Sequence, residues 1–313
     1  MQRYFLIFSI IFLSYLLLIN YNPPVDSFNE EISVSDSEYS LSTDTDDFVS
    51  DNDIVSEETF LIAETCSDND SYSFSNENWK AKIDLKTGKI IYAELIKFPE
   101  NSGSEINKLI FNDCGLERYS QLSGFAFLNF DLSKNSQFEV SENYKDGIND
   151  VYVLEKRSNN LLIKKIISFG PKDYYLKIRD SVQNLDLSNI KLAPFSKIDR
   201  SSEIVEAKGS GFTDPSSFAY LGPAFRTTEE NYLKISFNDI EENNFKETSS
   251  DGWAAMLQHY FLSAVVPSDE QNYVFQAKQK NNGDYSIGIV GETTNLASEG
   301  SAFFNHKVYF GPK

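Results

Sequence analysis

A large antiparallel β-sandwich, preceded by one transmembrane helix and a disordered acidic linker, is the architecture this sequence predicts. Three observations carry it. From residue 72 to residue 313, apolar residues recur at every second position over short runs, and few windows keep helical spacing through three turns. The chain holds 25 Phe and 17 Tyr, residues that favour pleated, half-buried surfaces. Ahead of that body stand an uncharged apolar run and then a stretch of acids without a base. Two big sheets packed face to face are the simplest burial for so many aromatic rings.

The first segment, residues 1–21, reads as a membrane anchor. Its run YFLIFSIIFLSYLLLI over residues 4–19 carries no charge. As a helix it is roughly 24 Å long against a ~30 Å hydrocarbon core, and Tyr4 and Tyr21 fall at the two interfaces. Arg3 precedes it and no Lys or Arg follows until Lys80, which leaves the N-terminus cytoplasmic. A cleaved signal peptide is the competing reading. It would end at small residues, and here Asn20-Tyr21-Asn22-Pro23-Pro24 follows. Under either reading everything from Pro23 onward is exported.

Residues 22–71 form the linker. Sixteen of the 47 acidic residues lie between 21 and 79, with no base among them. Such a stretch cannot bury enough apolar surface to offset its ordering entropy, and its like charges extend it. The acidity of the chain, net −19, therefore belongs to the tether, and the remainder is nearly neutral. No basic stripe of the kind that binds nucleic acid is present. Cys66 sits at the tether's end and Cys114 within the body. A bridge between them is open to an exported chain, and two free thiols are the alternative.

The body, residues 72–313, reads as strands in order. Ala81, Ile83 and Leu85 alternate with Lys80, Lys82 and Asp84; Lys86-Thr87-Gly88 turns the chain; Ile90–Ile96 returns. Ser123–Leu132, Val151–Glu155 and Leu161–Phe169 follow, and Gly170-Pro171-Lys172-Asp173 closes a hairpin onto Tyr174–Asn184. There Tyr174, Leu176, Ile178 and Val182 share one face, with Asp180 as a polar exception. Residues 185–230 are loop-rich, Leu233, Ile235 and Phe237 mark a strand, and Asn238–Ser250 is a polar connector. Trp253–Val266 is the densest apolar stretch of the body, and Tyr285–Val290 and Ala302–Phe310 complete it.

Chemistry-bearing motifs are sparse. No G-x-S-x-G, H-E-x-x-H or Gly-rich phosphate loop occurs, and Gly209-Ser210-Gly211 reads as a turn. The two histidines, His259 and His306, have no metal-ligand spacing. His306 alternates with Ala302, Phe304, Val308 and Phe310 and so shares their face. The expectation is a protein that is not an enzyme and takes neither cofactor nor metal.

Residues 251–267, DGWAAMLQHYFLSAVVP, are specific. They resemble the G-W-x-A-M-x-Q-x-Y-F-x-x-A-x-x-P signature of the bacterial YidC membrane protein insertase family, late in its large periplasmic domain. Gly222–Lys234, the Tyr174–Asn184 strand and the ending Tyr309-Phe310-Gly311-Pro312-Lys313 resemble neighbouring family segments. The resemblance implies a mutarotase-like supersandwich held in the periplasm by one inner-membrane helix. It also implies partners: the Sec translocon and its accessory SecDF, nascent inner-membrane proteins, and the bilayer through residues 4–19. The family's five further membrane helices follow the Gly-Pro-Lys ending. An expected partner of this chain is therefore a separately encoded insertase core, the chain being a fragment, a split gene product or a truncated one.

Within the signature, Gly252 is expected to permit a tight entry to the strand and Trp253, Met256, Tyr260 and Phe261 to supply buried area. Gln258 is the polar residue a packed strand must satisfy, and Pro267 ends the run. These residues read as a core strand or, alternatively, a partner-docking surface. Two rivals remain. A carbohydrate-binding or mutarotase-like envelope domain would need a convergent His/Glu set in an aromatic cleft. A generic envelope-anchored structural domain would need no site.

Overall fold

The computed structural model describes residues 48, 70–100, 103–115, 117–128, 130, 132–133, 136–202 and 220–313. The anchor (1–21) and, apart from Phe48, Asp70 and Ser71, the linker (22–71) lie outside the described residues. All described residues belong to one compact unit, Glu38–Lys313. No helix among them is long and apolar enough to cross a membrane.

Two antiparallel sheets enclose the core. The first holds, in spatial order, β1 (Ser71–Ser75), β2 (Trp79–Asp84), β3 (Ile90–Pro99), β4 (Asn107–Asn112), β5 (Tyr119–Leu128), β10 (Ile190–Arg200), β17 (Tyr285–Gly291), β16 (Tyr273–Gln279) and β13 (Phe245–Ser249). A short strand, β18 (Thr294–Leu296), also pairs with β10. The second sheet runs β12 (Leu233–Lys234), β11 (Gly222–Arg226), β14 (Trp253–Leu257), β15 (Phe261–Pro267), β19 (Ser301–Pro312), β9 (Tyr175–Asn184), β8 (Leu161–Phe169), β7 (Asn149–Ser158) and β6 (Glu139–Asp146). This is the antiparallel sandwich the alternating pattern predicts.

Period-two burial drives the arrangement. In β9, Leu176, Ile178 and Val182 point inward and are at most 2 % exposed, and Asp180 points inward with them. In β2, Trp79, Ala81 and Ile83 are sealed while Lys80 faces solvent. Rings from both sheets meet in the core: Trp79 packs edge-on to Phe169 at 4.8 Å and to Phe310 at 5.2 Å, and Phe111 edge-on to Phe310 at 5.7 Å. Edge-to-face pairs add about 0.5–1.5 kcal/mol each beyond the area they bury.

Turns fall where the sequence punctuates. Asp84 accepts the Thr87 amide at 2.8 Å, and Gly88 takes φ +76°, a left-handed conformation suited to glycine. The Gly170–Asp173 turn is tied to the other sheet. Trp79 Nε1 donates to the Asp173 carbonyl at 2.7 Å, Asn78 Nδ2 to that of Lys172 at 2.6 Å, and Asn76 Nδ2 to that of Gly170 at 2.9 Å. Cys114 is disulfide-bonded, and Cys66, the only other cysteine of the chain, lies outside the described residues.

Several elements depart from the pattern reading. The strand expected at Ser123–Leu132 is β5, starting at Tyr119 and ending at Leu128. Residues 238–250, expected as a polar connector, contain most of helix α1 (Phe237–Glu242) and the edge strand β13. Ser236 caps α1 in a capping box with Asp239, which ends the strand expected through Phe237. β6 runs along the edge of the second sheet with almost every side chain wet, so it carries no apolar alternation to read.

Candidate functional site

The signature is a hairpin rather than one continuous core strand. β14 and β15 pair antiparallel through Ala254↔Val265 and Leu257↔Leu262, and Gln258, His259 and Tyr260 make the turn. The run looks unbroken in sequence because this turn contains no Gly, Pro, Asn or Asp.

Gly252 sets the approach to β14. Its φ is +141°, and a Cβ there would stand 1.8 Å from the Arg226 carbonyl oxygen. Neighbouring backbone cannot yield by so much, so glycine alone lets β14 lie against β11. Met256 and Phe261 face the core, Met256 fully sealed and Phe261 edge-on to Phe98 at 5.4 Å. Trp253 is half-buried on the outer face, packed with Ala224, Ala255, Leu257 and Ala264 and 6.0 Å from Tyr232. Pro267 is the last residue of β15, opposite His306, as its missing amide donor dictates.

Two signature residues differ from expectation. Tyr260 does not supply buried area: it is 68 % exposed, because the turn lifts it out of the sheet. Gln258 is buried, and its backbone amide closes the turn by donating to the Phe261 carbonyl at 2.9 Å. Its side-chain Oε1 has no hydrogen-bond partner among the described residues. The final residue clamps the turn: the Lys313 amide donates to the Tyr260 carbonyl at 3.0 Å and Lys313 Nζ to that of His259 at 3.1 Å. His259 lies in this turn with its ring edge-on to Tyr260 at 3.9 Å. Tyr260 and Tyr232, the latter 52 % exposed, are thus aromatic side chains offered to solvent on the second sheet.

A charge cluster lies between the sheets, and sequence reasoning did not assemble it. Lys165 of β8 donates from Nζ to Asp180 Oδ1 of β9 at 2.6 Å, and to the Ser123 Oγ and carbonyl of β5 at 2.7 and 3.1 Å. Lys165 and Asp180 are each 2 % exposed. His306 of β19 stands beside them, its Nδ1 3.9 Å from Asp180 Oδ2, with Phe304 stacked on the ring at 4.5 Å. Neither ring nitrogen has a hydrogen-bond partner among the described residues. Burial pushes the imidazole down to about 4, against the pull of Asp180 and with the help of Lys165, so the ring is neutral. Neighbouring polar pairs extend the cluster: Gln121 Nε2 donates to Ser196 Oγ at 3.0 Å, and the Tyr119 and Ser263 hydroxyls share a hydrogen bond between the sheets. The available signals were Asp180 and His306, each a polar residue on an otherwise apolar face.

This arrangement is internal. The two histidines do not converge, since one lies in an outer turn and the other in the core. Among the described residues, no group of three or more His, Cys, Asp or Glu is placed to hold a metal. An open depression lined by Ser250, Glu270, Gln271, Asn272 and Glu292 brings two carboxylates and amides together without a histidine or a cation.

Comparison with known proteins places these features. The family model described as YidC periplasmic domain matches residues 71–313. The membrane protein insertase YidC of Pseudoalteromonas atlantica is 27 % identical over 252 residues, covering 77 % of this chain and 44 % of that protein. That of Haemophilus influenzae is 26 % identical over 325 residues, covering 100 % of this chain and 56 % of that protein. The chain thus spans about half the length of the curated relatives it matches. Among solved structures, a galactose mutarotase-like protein from Lactobacillus casei aligns with a TM-score of 0.50 at 10 % identity, over 77 % of this chain and 100 % of that one. That likeness is one of fold alone. With the family match covering both sheets and the signature hairpin, this chain belongs to the YidC periplasmic domain family.

Proposed function

We propose that this chain is the periplasmic and anchoring portion of a membrane protein insertase, assisting insertion and folding of inner-membrane proteins with or without the Sec translocon. The observation that supports it most is the family match over residues 71–313, which includes the Gly252–Pro267 hairpin. The body works by binding, without covalent catalysis. Residues 4–19 hold it to the bacterial inner membrane in a single pass, with the N-terminus cytoplasmic and residues 22–71 as the tether. Its partners are nascent inner-membrane proteins and the Sec translocon with SecDF. The exposed turn at Tyr260, close to the Lys313 clamp, is a docking point in this reading, because an exposed aromatic presents a large contact area at low entropic cost.

The test is affinity purification of the full chain from crosslinked native membranes. Recovery of Sec components or SecDF is the expected result, and their absence from repeated preparations overturns the proposal. A carbohydrate-binding function has the fold likeness in its favour and lacks a convergent histidine site. Stabilisation of the chain by sugars against heating would speak for it.

A further inference from the structure

The outer face of the first sheet is covered at one place by a residue from far upstream. Phe48 is only 2 % exposed and packs against Leu122 and Ala126 of β5 and Phe195 of β10, with Val290 of β17 alongside. These residues alternate with the inward-facing ones of the same strands, so the contact lies on the face turned away from the sandwich core. Gln276 of β16 donates from Nε2 to the Phe48 carbonyl. Lys197 and Lys278 hold their ammonium groups 5.8 and 6.0 Å from the ring centroid, within range of a cation–π attraction.

The sheet is shaped for such a guest. Gly124 lies opposite Phe195, between Leu122 and Ala126, and a Cβ there would meet nothing within 4 Å. Gly288, opposite Lys197 and Gln276, is glycine for the sheet's own sake, since a Cβ there would stand 2.1 Å from the Ser196 carbonyl oxygen. Gly124 is thus the position that leaves a gap on an otherwise furnished face. Charge on this side of the sheet is basic by excess: Asp199 pairs with Lys197 at 3.0 Å and stands 3.6 Å from Lys280, and Lys278 lies beside the ring as a third cation against that single carboxylate. In sequence, Phe48 is flanked by Asp44, Asp46, Asp47, Asp51 and Asp53.

We infer that this face is a binding site for an aromatic side chain carried in an acidic peptide, and that the chain's own tether occupies it through Phe48. The tether is then a competitor held in cis at high effective concentration. A second acidic-aromatic peptide gains the site only by displacing it. The inference concerns a face remote from the Tyr260 turn and holds whether or not the insertase reading does.

The test uses the full chain in detergent and a fluorescent peptide of residues 44–53. Measured by anisotropy, the peptide is expected to bind the Phe48→Ala chain at least tenfold more tightly than the wild-type chain. The same peptide with Phe48→Ala is expected not to bind. Lys278→Glu in the Phe48→Ala background weakens binding several-fold, and so does added salt, which screens exposed charges. Equal binding to both chains overturns occupation in cis, and no binding to either overturns the site. Should Phe48→Ala fail to fold, Phe48→Trp gives an independent readout. Its added indole emission is blue-shifted when seated and moves to the red when excess unlabelled peptide displaces it. An added emission that is already solvent-like without peptide overturns the inference.

Discussion

Two regions of the space between the sheets are built on opposite terms. Around Trp79, Phe74, Phe169 and Phe310 the contact is aromatic and dry, with rings packed edge-on or stacked. Around Lys165, Asp180 and His306 it is ionic and equally sealed. The aromatic region is stabilised by buried area and tolerates volume-conserving repacking. The ionic region offsets a large desolvation cost by pairing, so its loss is governed by which partner is left behind. The second region also binds one strand from the facing sheet, through Ser123, and so favours one register of sheet on sheet.

Breaking the ion pair is the largest expected effect. Asp180→Ala leaves the Lys165 ammonium buried without its carboxylate and is expected to cost about 3–5 kcal/mol, read as a fall in the urea midpoint. Lys165→Met with Asp180→Leu removes both charges and is expected to recover most of that loss. A double variant as unstable as Asp180→Ala would mean that shape, rather than charge, governs the region.

Acidification comes next. The folded-state value of His306, about 4, lies below the ordinary 6.5. The unfolded chain therefore binds the proton more readily, and the contribution is complete above about pH 6.5 and lost as pH falls toward 4. The expected loss is about 3 kcal/mol at full protonation. His306→Phe, stacked in the same place, is expected to flatten that part of the stability–pH curve. A curve of unchanged slope would show that the histidine is already charged in the fold.

In the aromatic region, Phe169→Leu keeps most of the apolar volume and loses ring geometry, for an expected cost of about 1–2 kcal/mol in urea unfolding. A loss equal to that of Asp180→Ala would erase the contrast between the regions. The smallest effect is expected outside both. Tyr260→Ala at the exposed turn changes stability by about 0.5 kcal/mol or less, while reducing recovery of partners in the purification described above.

The same contrast governs what the sequence reveals. Strands with one wet face and one dry face, such as β2 and β9, are legible because their alternation is written in local order. β6 is not, because an edge strand wet on both faces lacks that alternation. β13 does alternate in burial, but two of its three inward positions are Glu247 and Ser249, so the alternation is not written in apolar residues. The β14–β15 turn is hidden by its own composition, and with it the exposure of Tyr260. The ionic cluster draws Lys165, Asp180 and His306 from three strands, and only tertiary pairing brings them together. Asp180 and His306 each stood out as polar residues on apolar faces, which marks members of such a cluster without naming its partner. Phe48 gave no local sign at all, since one ring among acids becomes meaningful only against the sheet that receives it.

The exported position of the body is tested most directly by protease added to intact spheroplasts producing the full chain. Cleavage in the 22–71 tether, releasing the sandwich without lysis, is the predicted result. A chain that stays whole in intact spheroplasts and is cut only after they are lysed would place the body in the cytoplasm and contradict the insertase reading.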